Sequence, residues 1–259
     1  MRIARFTLDQ DPRYGIVQGE AGAEVIHAIS GDPLYTEIRP TGLTCPIDEV
    51  RLLAPVIPRS KVLGVAGNRA GPGERPPPLW FGKPNTSVAG PGDPIVLDSR
   101  VEAPAFAEAG LAVVIGRIAK DVPVDDAAKF IFGYTVANDV GYRYPPADGG
   151  GPRDPRGFFG KYRDGFTPIG PWIETDLDPA AGLAVGCWVD GDRRHGGSTR
   201  DLVAGVAELV ATASAVCTLL PGDVILAGAL APAVPIAPGE RVTCEVVGIG
   251  ALTNPVVKR

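Results

Sequence analysis

The sequence predicts a mostly β (α+β) fold, on three observations. Glycine (34) and proline (27) together fill nearly a quarter of the 259 positions, which shortens helices and multiplies turns. Short runs rich in Val and Ile recur along the chain, some alternating with polar residues and some continuous. Hydrophobic residues make up 45% and charged residues 21%, ordinary values for a chain that buries a core. At this length the core needs no disulfide or metal staple.

The elements follow in order. Arg2 to Leu8 alternates apolar and polar residues, and Arg13 to Gln18 does so again after the turn-prone Asp9-Gln10-Asp11-Pro12. Turn residues fill positions 31–59, and a domain boundary falls near residue 57, giving a small N-terminal β domain (1–57) and a larger domain (58–259). Val62-Leu63-Gly64-Val65 opens the second part as a strand. Residues 68–78 carry too much proline for regular structure and make a loop, as do residues 144–160. A lid over a ligand and a plain surface loop both fit such composition. Ile95-Val96-Leu97 is a short strand. Leu111-Ala112-Val113-Val114-Ile115-Gly116 is a continuous apolar run, expected to be buried on both faces. Asp125 to Phe132 suits a short helix ended by Gly133, with a strand restarting over Tyr134 to Ala137. The longest helix is expected from Asp201 to Leu219. Leu202, Val203, Val206, Leu209, Val210, Ala213, Val216 and Cys217 recur there at helical spacing, and Ser198 with Asp201 forms a capping box.

Composition also excludes function classes. The net charge of −5 offers no basic field for nucleic acid. No apolar run approaches the roughly 20 residues that span a bilayer, and the first residues lack a signal peptide's apolar stretch, so a cytoplasmic protein is expected. Cys45, Cys187, Cys217 and Cys244 form no CxxC pair and are expected to be free thiols. The two histidines, His27 and His195, fit structural or surface positions better than a triad or a zinc site.

The chemically informative stretches are Glu108-Ala109-Gly110-Leu111 and Asn138-Asp139-Val140. Each places a carboxylate at the end of a strand, where two of them can converge on a hard cation such as Mg²⁺. Around these residues the chain resembles the fumarylacetoacetate hydrolase family. The resemblance extends through Asp48 to Val56, Phe81-Gly82-Lys83-Pro84, Gly160-Lys161, Pro168 to Trp172, Pro221 to Leu226 and the C-terminal Gly248 to Val256. It implies a mixed β-roll with a small N-terminal domain, a homodimer, and chemistry on 2-oxo acids and 1,3-dicarbonyl compounds at a divalent metal that polarises substrate oxygens. It implies no organic cofactor.

Carried over position by position, the family pattern is incomplete. Its Glu-x-Glu-Leu reads Glu108-Ala109-Gly110-Leu111 here, so glycine stands where the second ligand is expected. Glu108 and Asp139 remain as metal candidates, for Mg²⁺ or Mn²⁺ held weakly or not at all. The family's Asn-Tyr and His–Glu lid segment is replaced by Gly67-Asn68-Arg69 followed by a proline-rich stretch containing Glu74. The late Gly-Thr-Pro turn is replaced by Gly228-Ala229-Leu230-Ala231-Pro232. Lys83, Arg143 and Lys161 match basic positions of the family's pocket.

Three readings result. The first is a divergent enzyme acting on a small anionic, enolisable oxo or dicarbonyl substrate by decarboxylation, C–C cleavage, isomerisation or cyclisation, with weakened or lost metal dependence. Lys161, Glu108 and Asp139 are its catalytic candidates; Lys83, Arg143, Asn68 and Arg69 are its substrate-binding candidates. Lys161 could serve as an ammonium, a base or a Schiff-base nucleophile. The second reading is a non-catalytic dimer that binds a metabolite or a partner. The third is an ordinary Mg²⁺ enzyme in which Glu102 replaces the missing ligand.

Overall fold

The computed structural model describes residues 1–69, 78–144 and 157–259. Five strands come first: β1 (Arg2–Thr7), β2 (Arg13–Gln18), β3 (Val25–Ile29), β4 (Pro40–Pro46) and β5 (Arg51–Leu53). Next come β6 (Val62–Ala66), β7 (Leu79–Lys83), β8 (Val88–Ala89), β9 (Ile95–Leu97), β10 (Ala105–Ala107), β11 (Ala109–Ile115), β12 (Ile131–Asn138) and β13 (Gly141–Tyr142). The short helix α1 (Gly157–Lys161) leads into β14 (Thr167–Glu174), β15 (Ala184–Val189) and β16 (Asp192–Ser198). Helix α2 (Val206–Val216) precedes β17 (Val224–Ala229), β18 (Val234–Ile236), β19 (Arg241–Val246) and β20 (Gly250–Lys258). The mostly β, mixed-sheet architecture is the one expected.

Among the described residues the strands form three sheets. The largest runs β4-β3-β2-β1-β14-β12-β11-β17-β6-β7, with β5 on β1 and β8 on β14; a second runs β16-β15-β19-β20-β9, and a third β13-β10-β18. The N-terminal strands are continuous with the main sheet, because β1 pairs with β14 (Arg2 opposite Glu174, Ile3 opposite Ile173). Tyr35 adds a tie, its hydroxyl donating to the Pro221 carbonyl at 2.7 Å.

Strand β11 shows why this sequence builds this sheet. All seven of its residues are buried, between β12 and β17. Leu111, Val113 and Ile115 enter one apolar cluster, while Ala112 and Val114 enter another with Val62, Val224 and Ile173. Alternate side chains of a strand point to opposite faces, so a run without polar residues is what a strand covered on both faces requires.

Two expected helices change length. The Asp125 to Phe132 segment is a 3-10 turn, Val124–Phe130, and Gly133 lies inside β12. The long helix is a 3-10 turn, Thr199–Asp201, followed by α2 only from Val206. Ser198 and Asp201 do form a capping box, but on that 3-10 turn; at α2 the Gly205 N–H donates to the Glu208 carboxylate at 2.7 Å. Between the two, Asn68 interrupts the helix: its carbonyl accepts from Val203 N–H and its side-chain oxygen from Ala204 N–H, so these groups are bonded across the fold instead of along a helix. Val206, Leu209, Val210 and Ala213 face the core as expected, whereas Val203 and Val216 are exposed. Among the described residues no helix is long and apolar enough to cross a membrane.

Candidate active site

Glu108 occupies the single position between β10 and β11, and Asp139 directly follows β12. The side chain of Asn138 locks the two together. Its Oδ1 accepts from Glu108 N–H at 3.1 Å, while Asp139 N–H donates to the Glu108 carbonyl at 2.9 Å. Two strand ends are thereby clamped side by side, and their carboxylates converge. Asn138 is fully buried, and no sequence pattern singles it out as a site residue.

Lys161, the last residue of α1, places its ammonium between the two carboxylates. Nζ lies 2.9 Å from Glu108 Oε2, 2.8 Å from Asp139 Oδ2 and 3.0 Å from the Asp139 carbonyl, which uses all three of its donors. Its stem passes over Gly141. A Cβ there would sit 2.9 Å from Lys161 Cδ, so only glycine leaves the passage open. The ammonium also lies 5.6 Å from the centre of the Phe81 ring, within cation–π range.

Lys83 approaches Asp139 from behind. Its ammonium is 0% exposed and donates to Asp139 Oδ1 and the Phe166 carbonyl, both at 2.5 Å, and to the Val140 carbonyl at 3.1 Å. The structure therefore puts Lys83 away from the cavity wall, with no donor left for a substrate; its partner is Asp139. Arg143 completes the set, with Nη2 3.0 Å from Glu108 Oε1 and its guanidinium over the Phe106 ring. It is more than half exposed.

The electrostatics follow from this packing. Burial opposes the charge on Lys161, but Asp139 and Glu108 outweigh it and raise its pKa. Burial likewise opposes the charge on Asp139, and Lys161 and Lys83 outweigh it, holding the carboxyl below its ordinary range. For Lys83 burial wins. Aided by repulsion from Lys161 and only partly offset by Asp139, it lowers the pKa from 10.5 to about 8. A lysine held charged at all three donors is a poor Schiff-base nucleophile, which needs a free amine.

All four carboxylate oxygens of Glu108 and Asp139 thus accept from a cationic side chain. Position 110 supplies no side-chain oxygen, and no group of three or more His, Cys, Asp or Glu converges among the described residues. Glu102 is exposed and is not among the residues that line the cavity beside Glu108 and Asp139. The backbone has closed around the glycine: a Cβ on Gly110 would sit 2.5 Å from the Gly228 carbonyl oxygen.

Glu108, Asp139, Arg143 and Lys161 open onto a cavity of about 350 Å³. Its remaining wall is largely apolar, from Val65, Phe81, Ala229, Ala231, Pro232 and Ala233. Asn68 and Arg69 also line it. The Asn68 amide is committed to the fold, donating to the Ala204 and Ala227 carbonyls and accepting from Ala204 N–H. Arg69 is exposed, and its side chain makes no hydrogen bond or ion pair among the described residues. Glu74 and most of the two proline-rich loops lie outside the described residues. The four cysteines are free, and His195 is exposed on β16.

The model of the fumarylacetoacetate (FAA) hydrolase C-terminal family matches residues 61–257. The chain belongs to the fumarylacetoacetate hydrolase family. Residues 1–55 match a second family, described as Rv2993c-like, N-terminal. Protein Rv2993c of Mycobacterium tuberculosis is 39% identical, over 100% of this chain and 99% of its own length. Among solved structures, 5-carboxymethyl-2-hydroxymuconate delta-isomerase from Mycobacterium smegmatis superposes with a TM-score of 0.91 at 40% identity, covering all of both chains. Maleylpyruvate hydrolase from Sphingobium sp. SYK-6, in complex with manganese(II) ion and pyruvate, superposes with a TM-score of 0.81 at 29% identity over 100% of this chain and 99% of that one. Fumarylacetoacetate hydrolase family relatives thus include hydrolases and isomerases of small oxo acids, and a manganese site is among them.

Proposed function

We propose that this chain is a divergent fumarylacetoacetate hydrolase family enzyme that forms the enolate of a small 2-oxo acid or 1,3-dicarbonyl compound, with weakened or lost metal dependence. One observation carries the reading: the Lys161 ammonium, seated between Glu108 and Asp139 on the cavity wall. A fixed cation in an enclosed site stabilises negative charge that develops on a substrate oxygen.

The residues divide the work by their surroundings. Asp139, gripped by Lys83 and Lys161, stays ionised and holds Lys161 in place. Glu108 takes the proton from the carbon beside the substrate carbonyl. The C–H electron pair moves onto the carbonyl oxygen, which meets the Lys161 ammonium in competition with the Asp139 carbonyl, the uncharged one of its three acceptors. Arg143 turns its exposed guanidinium from Glu108 to the substrate carboxylate. Glu108 Oε1 is thereby freed of the guanidinium and can accept the carbon proton. Return of the proton to carbon or oxygen gives isomerised or enolised product. In a decarboxylation it is the C–C electron pair that moves onto the carbonyl oxygen as CO₂ departs; Glu108 then has no proton to take, and the Lys161 ammonium meets the new enolate oxygen in the same place. The isomerase and the pyruvate-bound hydrolase among the structural neighbours support this substrate class.

The donor set supports the reduced metal dependence. Mg²⁺ and Mn²⁺ favour oxygen-rich, near-octahedral surroundings, and two carboxylates already paired with three cations do not fit that requirement. The test is oxaloacetate turnover, followed by ultraviolet absorbance, in EDTA and with added Mn²⁺. The rate is expected to persist in EDTA and to fall about 100-fold or more in Lys161→Met. Activity abolished by EDTA and restored by stoichiometric Mn²⁺ would overturn the reading. Oxo-acid binding without turnover of oxaloacetate, acylpyruvates or β-keto acids would favour the non-catalytic alternative.

A further inference from the structure

We propose that Arg69 is a specificity-determining residue that selects oxo acids carrying a second anionic group. The inference rests on the 2-oxo-acid reading above and deepens it.

Charge balance in the cavity motivates it. Glu108 and Asp139 supply two negative charges, and Lys161, Lys83 and Arg143 supply three positive ones in direct contact with them. The inner cluster therefore has one positive charge in excess, enough for the single carboxylate of a 2-oxo acid. Arg69 adds a further cation on the same cavity, paired with no carboxylate among the described residues. Among the described residues the rest of the wall is largely apolar, and no further charged side chain there competes with Arg69 for a second anionic group. Charges withdrawn from water need such a partner, and a guanidinium offers a two-pronged one.

The mount of Arg69 is also rigid where its head is free. Its backbone bridges to Leu202, and the preceding Asn68 is tied to Val203, Ala204 and Ala227. The backbone beneath Arg69 is already ordered, so binding there costs only the ordering of its side chain. A cavity of about 350 Å³ limits the ligand to a small molecule.

Calorimetric titration of the whole protein with oxaloacetate and with 2-oxobutanoate tests the proposal. The two share four carbons and a 2-oxo acid head and differ in a terminal carboxylate against a methyl. The expected result is preference for oxaloacetate, with Arg69→Gln weakening its binding by roughly tenfold or more, Arg69→Lys recovering part of the loss, and 2-oxobutanoate binding changing less than about twofold in either variant. Arg69 is exposed, so unchanged melting temperatures would show that folding is intact. Equal binding of both ligands, or an equal loss of both in Arg69→Gln, overturns the role of Arg69 alone. Failure of both ligands to bind wild-type protein overturns the 2-oxo-acid reading, and this inference with it.

Discussion

Two acidic residues at strand ends, Asp223 and Asp139, are both bonded to lysine and differ in everything else. Asp223, just before β17, is fully buried. Its Oδ1 accepts from Ser60 Oγ (2.7 Å) and Lys61 N–H (3.1 Å), and its Oδ2 from Lys61 Nζ (2.6 Å) and Leu220 N–H (2.8 Å). One cation, one hydroxyl and two backbone groups satisfy it, and they stitch β6 to the turn before β17. Asp139 has two lysines, a neighbouring carboxylate and an arginine beyond that, on the wall of a cavity. The first arrangement is closed and serves the fold. The second carries more charge than the fold needs, and the excess faces the space where a ligand can enter.

That contrast can be broken in three ways. The largest effect is expected from Asp223→Ala. Removing one member of a buried pair strands the other and leaves backbone donors unmet, a loss of about 3–5 kcal/mol in urea unfolding. The activity of the folded fraction should be unchanged. A selective loss of activity at full stability would erase the distinction.

Gly110→Glu comes next. It restores the carboxylate that the family pattern places there, but the new Cβ would meet the Gly228 carbonyl at 2.5 Å. The expected result is destabilisation of about 1–3 kcal/mol without tight Mn²⁺ binding in calorimetry. Stoichiometric Mn²⁺ binding at undiminished stability would show that a carboxylate at position 110 fits beside Glu108 and Asp139.

The smallest effect is a pH dependence. The folded pKa of Lys83, about 8, lies below its ordinary 10.5. Above about pH 8 the unfolded chain therefore keeps a proton that the folded chain releases, and stability contributed by this group rises with pH up to about 10.5. Between pH 8 and 9.5, below the tyrosine range, unfolding free energy should rise relative to a Lys83→Met variant. Parallel curves would show that Lys83 keeps its proton, as a lysine in a simple closed pair does.

Much of the fold was legible because it depends on local pattern. The unbroken apolar run of β11 could only be covered on both faces, and alternation located β1 and β2. The helix before β17 is shorter than its periodicity predicts, because periodicity does not register a competing hydrogen bond, and Asn68, 136 residues away from Ala204, supplies one. The site divided in the same way. Glu108, Asp139, Arg143 and Lys161 do share a cavity, whereas Lys83 lies behind it and Asn68 is consumed by backbone. The clamp formed by Asn138 is not legible in the sequence, because an asparagine beside an aspartate has no spacing signature.

By itself the sequence determined which chemical groups exist: two strand-end carboxylates, Glu108 and Asp139, a glycine at position 110, and the basic residues Lys83, Arg143 and Lys161. These are properties of single positions and survive any fold. Only the tertiary structure decided that one lysine sits between the carboxylates, that a second is hidden behind them, and that Arg69 faces the cavity with no carboxylate partner among the described residues. Those outcomes depend on distances of a few ångströms between residues far apart in the chain, where a small shift separates an ion pair from a solvated charge.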